Sequence, residues 1–164
     1  MKRLAGWIAL LVLTAAVSGC GEAGSRAARY RAEKMMFDAA RSEAEARLGR
    51  SRPDTTALLR VRGNFAAVRI AIPPPYIRSK SKDGFAAGVE LLRTVGRAEL
   101  SAARLAMEAG RPDLALEHAE WLSANSEGDT LSRRQADFAA VGALRQARRT
   151  EEAIARMHAM LERY

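Results

Sequence analysis

Few side chains in this sequence combine the type and the spacing needed for chemistry. Cys20 is the chain's single cysteine and closes the tetrapeptide Val17-Ser18-Gly19-Cys20. A lone thiol excludes a disulfide framework and any multi-cysteine metal site, and by itself reads equally as a buried thiol without chemistry. His118 and His158 are far apart in the sequence, with no further converging ligand pattern. That spacing favours a structural role at the surface or on a half-buried helix face over a metal pair. Ser79-Lys80-Ser81-Lys82 matches S-x-x-K, the spacing of a serine nucleophile and its lysine. It falls in a polar connector, and neither S-D-N nor K-T-G follows it. Asp38, Glu43 and Glu45 form an acidic cluster, yet Asp38 with Arg41 and Glu43 with Arg47 are spaced as ion pairs on a solvated helix face. With no G-x-S-x-G elbow and no glycine-rich phosphate loop, the sequence predicts no catalytic residue, no metal site and no cofactor. The protein is expected not to be an enzyme.

What precedes Cys20 gives it a context. Lys2 and Arg3 are followed by the apolar run Leu4 to Val17. As a helix this run spans roughly 21 Å at about 1.5 Å per residue, short of a ~30 Å hydrocarbon core. It reads as the hydrophobic region of a signal peptide rather than a membrane-spanning helix. The basic start, the short apolar run and Val-Ser-Gly-Cys together resemble the signal and lipobox of bacterial lipoproteins. That resemblance implies a signal peptide over residues 1–19 and cleavage between Gly19 and Cys20. It also implies diacylglyceryl transfer to the Cys20 sulfur and acylation of the new amino terminus with palmitate-type chains. Several acyl chains at about 0.8 kcal/mol per buried CH₂ anchor a protein stably, where one is marginal. Gly21 stands where inner-membrane retention has Asp, so the resemblance implies the periplasmic face of the outer membrane in a diderm cell. Residues 20–28 read as the lipidated cysteine and a flexible tether.

Composition limits the rest. The 164 residues are 48% hydrophobic and 28% charged, and 27 Lys and Arg against 19 Asp and Glu give a net charge of +8. The apolar fraction excludes a disordered chain. A basic excess of this size suits nucleic acid, but export past the cytoplasmic membrane argues against that partner. In the cell envelope the surplus favours anionic headgroups, glycolipid phosphates or an acidic partner. Arg133, Arg134, Arg145, Arg148 and Arg149, with Arg156, make the C-terminal region the candidate basic patch.

The elements that must position these residues are helical. Strand alternation is scarce, and Ala, Leu, Arg and Glu dominate. An N-terminal helix pair is expected over 29–71. Its first helix runs from Arg29 to Leu48 with Ala32, Met36/Phe37, Ala40, Ala44 and Leu48 on one apolar face, extended by Tyr30. Its second runs from about Asp54 to Ala71 with Leu58, Val61, Phe65 and Val68 inward. A Pro-rich connector occupies 72–84. A third helix starts near Phe85 and runs to Ala109 with Ala87, Leu91, Val95, Ala98, Ala102 and Leu105 in register, and Gly96 marks a kink between two shorter segments. Further helices are expected from Pro112 to Asn125, over 131–147 and over 150–163.

The C-terminal stretch repeats. MEAGRPDLALEHAEWL and RQARRTEEAIARMHAM align without a gap, so that Ala115 matches Ala153, Leu116 matches Ile154 and Leu122 matches Met160 at one constant offset. Each copy reads as helix, tight turn, helix. With Gly110 at the turn, Ala103 in the first helix and Ala115 in the second, these hairpins resemble tetratricopeptide repeats. Arg148 replaces the turn glycine in the second copy, and Glu99 and Asp137 stand where that family carries its tryptophan. A plain antiparallel α-hairpin array remains the alternative.

The expectation for residues 85–164 is an all-α stack of antiparallel helical hairpins, a short tetratricopeptide-like solenoid. The resemblances imply a lipid-anchored envelope scaffold that binds a protein or peptide partner, with a role in outer-membrane assembly or secretion. Arg133, Arg134, Arg145, Arg148 and Arg149 are the candidate contact residues, with Trp121, which reads first as core and second as the lining of a binding surface. The competing expectation is a membrane-surface module binding anionic glycolipid or cell-wall polymer through its Arg-rich helices. The uncapped last helix suggests a homo-oligomer through that end.

Overall fold

The computed structural model describes residues 26–48, 54–72, 82–126 and 129–164, which contain six helices and no strand. These are α1 (26–47), α2 (Thr55–Ala71), α3 (Lys82–Glu108), α4 (Pro112–Asn125), α5 (Thr130–Gln146) and α6 (Thr150–Arg163). Local signals set their ends. The Asp54 carboxylate accepts the Ala57 N–H at 2.6 Å and caps α2. Pro112 opens α4, where its missing N–H costs nothing.

The α3–α4 and α5–α6 turns are copies of each other. The Arg111 N–H bonds Ala106 O at 2.8 Å and the Gly110 N–H bonds Met107 O at 3.0 Å. At the matching positions of the next repeat, Arg149 bonds Leu144 O at 2.9 Å and Arg148 bonds Arg145 O at 3.0 Å. Both are Schellman closures, which require a left-handed residue. Gly110 meets that requirement at φ 71° and Arg148 at φ 60°. The glycine absent from the second turn is therefore replaced in conformation, at the expense of a side chain held in the left-handed region.

Two cores share α3. On one face, Leu91, Val95, Ala98, Ala102 and Leu105 pack with Leu58, Val61, Phe65, Val68 and Ile72 of the α2 segment and with Ala32 and Ala39 of α1. On the other, Ala103 and Ala106 join Ala115, Leu116 and Ala119 of α4, Ala140, Val141, Ala143 and Leu144 of α5, and Ala153 and Met160 of α6. Alanine dominates the second core because small side chains let helix axes approach closely. The helices also approach closely at Gly96, where a Cβ would lie 3.2 Å from Leu122 Cδ1 and 3.5 Å from Ser132 Oγ. Gly96 thus sits where α3, α4 and α5 meet, inside one continuous helix, and does not divide two segments.

Ion pairs fix the register of α1. Arg29 pairs with Glu90, Arg104 with Glu43 at 2.8 Å and Arg47 with Glu108 at 2.6 Å, each pair separated by 61 residues. A constant offset over three pairs means that α1 and α3 run parallel. The helices α3 and α5 are parallel too: Arg93 reaches Asp129 near one end and Gln146 reaches Met107 O near the other. Burial pushes the Glu108 carboxyl up, but the hydrogen bonds from Arg47 and Arg104 outweigh it and hold the group below its ordinary value.

Several sequence expectations are corrected here. Residues 26–28, assigned to the tether, are already helical, and α3 begins at Lys82 inside the expected connector. The apolar face of α1 is the expected one only in part. Ala32 and Met36 face the core as expected, but with Ala28, Met35, Ala39 and Ala46, while Tyr30, Phe37, Ala40, Ala44 and Leu48 are exposed. This rotation puts the small alanines against the neighbouring helices and Glu43, Arg47 and Arg29 opposite their partners on α3. Asp38 pairs with Lys34 at 2.8 Å, and Arg41 with Glu45 at 2.9 Å. The signal, Gly19, Cys20 and Ser79-Lys80-Ser81 lie outside the described residues.

Candidate partner-binding groove

Two acids are buried inside the hairpins. Glu99 of α3 is fully buried, and its Oε2 lies 2.8 Å from His118 Nδ1 and 3.3 Å from an Arg69 guanidinium nitrogen. Arg62 approaches the other ring nitrogen, His118 Nε2, at 3.0 Å. A guanidinium only donates, so Nε2 accepts and Nδ1 carries the proton that goes to Glu99. The histidine expected at the surface or half-buried is therefore buried and oriented from both sides. A carboxylate-oriented imidazole has the outline of a catalytic base, but Arg62 occupies the nitrogen that would take a substrate proton. Among the described residues no group of three His, Cys, Asp or Glu side chains could hold a metal ion.

Asp137 of α5 has the same role in the next hairpin. Its Oδ1 accepts from Ser123 at 3.1 Å and Arg156 at 2.9 Å, and its Oδ2 from the Tyr164 hydroxyl at 3.1 Å and Arg163 at 3.3 Å. Burial, together with the bond to Asp137, pushes the Tyr164 phenol above its ordinary value. Glu99 and Asp137 occupy matching positions of the repeat, as do their partners His118 and Arg156. Each hairpin thus carries one buried acid on its first helix, bridged to a cation or imidazole on its second.

The three parallel helices enclose a groove. A cavity of about 430 Å³ is bounded by Arg29 and Glu33 of α1, Arg93 and Arg97 of α3, and Leu131 and Gln135 of α5. Arg29 is committed to Glu33 and Glu90. Arg93 and Arg97, one helical turn apart, are held loosely: Arg93 reaches Asp129 at 3.4 Å and Arg97 reaches the Thr94 hydroxyl at 3.4 Å. Two cations with long contacts beside the exposed Leu131 can take a carboxylate and an apolar side chain of one bound segment. A somewhat larger space, about 490 Å³, lies between α1 and α2 around Ser42, Asp54 and Arg60. It has no comparable pair of loosely held cations.

The candidate contact residues from the sequence do not converge there. Trp121 is half-buried against the first core, with the Arg69 guanidinium 5.1 Å above its ring. Arg133 and Arg134 open α5, and Arg134 lies over the Tyr164 ring at 5.4 Å. Arg145, Arg148 and Arg149 are at the far end of α5, about 16 Å away at ~1.5 Å per residue. Arg149 is held by Glu152 at 2.6 Å. The basic patch is thus two clusters. The groove arginines Arg93 and Arg97 escaped sequence reasoning because their positions depend on which helices run parallel. The C-terminal repeat could have revealed Glu99 and His118, since it aligns them with Asp137 and Arg156.

No protein-family model, no curated protein and no solved structure matches this chain.

Proposed function

We propose that this protein is a lipid-anchored scaffold of the cell envelope that binds an extended, acid-bearing segment of a protein partner in the groove between α1, α3 and α5. In this reading the hairpins stack as a short tetratricopeptide-like array, and acylated Cys20 keeps the array at the membrane surface. A role in outer-membrane assembly or secretion fits such a scaffold. The observation that carries the reading is the pair Arg93 and Arg97, exposed in a groove of parallel helices and held only by long contacts. The anchor rests on the sequence around Val17-Ser18-Gly19-Cys20.

A photo-crosslinking residue at Gln135, in the native membrane, should capture a partner protein, and Arg93→Glu with Arg97→Glu should abolish the capture. Capture unaffected by charge reversal would refute the groove. Cys20→Ala should abolish labelling by fatty acid, and persistent labelling would refute the anchor. Arg145 and Arg148 are exposed and make no ion pair among the described residues. That favours a second reading, the binding of anionic glycolipid or cell-wall polymer at the α5–α6 turn. Arg145→Glu with Arg148→Glu weakens binding in that reading alone, and the affinity falls steeply with salt.

A further inference from the structure

Helix α1 is held in the array differently from its neighbours. It buries two apolar side chains fully, Ala32 and Ala39, and no large one, whereas α2 inserts Leu58, Val61, Phe65 and Val68 into the same core. Helix α6 contributes as little, Ala153 and Met160, but its Arg156 and Arg163 clasp the buried carboxylate of Asp137. The charges that secure α1 are in contact with water instead. Its pairs with α3, Arg29–Glu90, Glu43–Arg104 and Arg47–Glu108, are partly exposed on both partners, Glu43 least at 16%. Pairs of this kind are weak one by one and are screened by salt.

Open space borders α1 on both flanks. The groove of about 430 Å³ lies between Arg29 and Glu33 on one side and Arg93, Arg97 and Leu131 on the other. The space of about 490 Å³ lies between Ser42, Glu45 and Ala46 and the facing residues of α2. Along its own length α1 carries the i,i+4 ion pairs Arg29–Glu33, Lys34–Asp38, Arg41–Glu45 and Glu43–Arg47. Such pairs support a helix without help from neighbours. A helix with internal support, few buried side chains and screenable contacts can leave the array as one unit, well below the free energy of global unfolding.

We propose that α1 is a movable wall of the groove: it undocks from α3 and returns as one unit, and a segment bound at Arg93 and Arg97 holds it closed. Arg29 links the two events, because it belongs both to the α1–α3 pairs and to the groove lining. Its Nε bonds Glu33 and its Nη1 bonds Glu90, and among the described residues its Nη2 has no partner. An acid bound beside Arg93 and Arg97 offers that nitrogen a carboxylate, which it meets only with α1 in place. Occupancy and docking then favour each other reciprocally. The coupling rests on the groove reading above, whereas the undocking rests on the α1–α3 contacts alone and is independent of the lipid anchor. At ordinary surface strength the three cross-helix pairs together amount to about tenfold in the docking equilibrium.

The test is amide hydrogen exchange of the full chain in a nonionic detergent at one pH, at low salt and at about 1 M NaCl. The amides of residues 26–47 should exchange about tenfold faster at high salt, and those of α3, α4 and α5 should not change. Arg104→Gln removes the partner of Glu43 without altering the groove lining. At low salt it should speed the exchange of α1 in the same way, again with α3, α4 and α5 unchanged. The same substitution should lower capture by the Gln135 crosslinker in the native membrane severalfold. Exchange of α1 in step with α3 at both salts, or exchange that ignores salt and Arg104→Gln, overturns the proposal. Capture that stays level or rises while α1 opens overturns it as well. Salt-dependent opening with no capture in the parent chain refutes the groove reading and with it the coupling, while the undocking stands.

Discussion

Removing the buried acid Glu99 tests whether the hairpins depend on the Glu99–His118 bond. Glu99 and His118 are 0% and 1% exposed, and their contact is 2.8 Å long. Replacing Glu99 with Leu leaves the His118 Nδ1–H buried without an acceptor, at about 1–3 kcal/mol. It also strips the Arg69 guanidinium of its closest carboxylate, although Arg69 is 22% exposed and retains Glu117 at 3.7 Å. One broken buried pair typically costs about 3–5 kcal/mol, and we expect the lower half of that range because Arg69 can turn toward solvent. For a chain of this size such a loss lowers Tm by about 10 °C. His118→Leu should cost a similar amount, because it leaves Glu99 buried with only the 3.3 Å contact to Arg69. The double variant Glu99→Leu/His118→Leu removes both polar partners and fills the space with apolar side chains. It should lose at least about 1 kcal/mol less than the two single variants together. Urea unfolding at pH 7, followed by the helical circular dichroism signal, measures all four corners of the cycle. Strict additivity, or a single-variant loss below about 1 kcal/mol, would refute the coupling.

Two further perturbations read the turns and the α1–α3 ladder. Arg148→Gly should stabilise the chain by about 0.5–1 kcal/mol, because a left-handed L residue costs roughly 1–2 kcal/mol while glycine returns some of that as unfolded-state entropy. Gly110→Ala should destabilise by a similar amount purely through the backbone, since nothing lies within 4 Å of the added Cβ; equal unfolding midpoints for parent and variants would contradict this. Glu108 is held below its ordinary value of 4.5, so the unfolded chain binds its proton first as pH falls. Its contribution is complete above pH 4.5 and disappears as pH drops through the lower folded value. The stability difference between parent and Glu108→Gln, at most about 1 kcal/mol for a surface network, should therefore shrink in acid. A difference that grows in acid would reverse the assigned sign.

Which helices exist was legible because each has its own local cause. Asp54 caps α2, Pro112 opens α4, and Leu58, Val61, Phe65 and Val68 recur at helical spacing, so residues within a few positions of one another decide the outcome. The turn at Arg148 was legible only as a repeat position, since its side chain gives no sign of a left-handed backbone. The face of α1 was legible only in part, for a different reason. That helix carries apolar side chains on two opposite sides, and packing of Ala32, Ala39 and Met35 in the first core, together with the pairs to Glu90, Arg104 and Glu108 each 61 residues away, accompanies the side that turns inward.

By itself the sequence determined the helical class, the C-terminal hairpin repeat and the lone cysteine behind a short apolar run. Those are properties of composition and short-range spacing. The tertiary structure decided that α1, α3 and α5 run parallel, that Glu99 and His118 meet in the interior, and that Arg93 and Arg97 share a groove while the C-terminal arginines separate. The parallel pairing of α1 with α3 and the Glu99–His118 contact join residues 61 and 19 positions apart, and the groove at Arg93 and Arg97 is completed by side chains of two other helices. Such meetings follow from how helix faces pack and how buried charges find partners, and no local pattern encodes them.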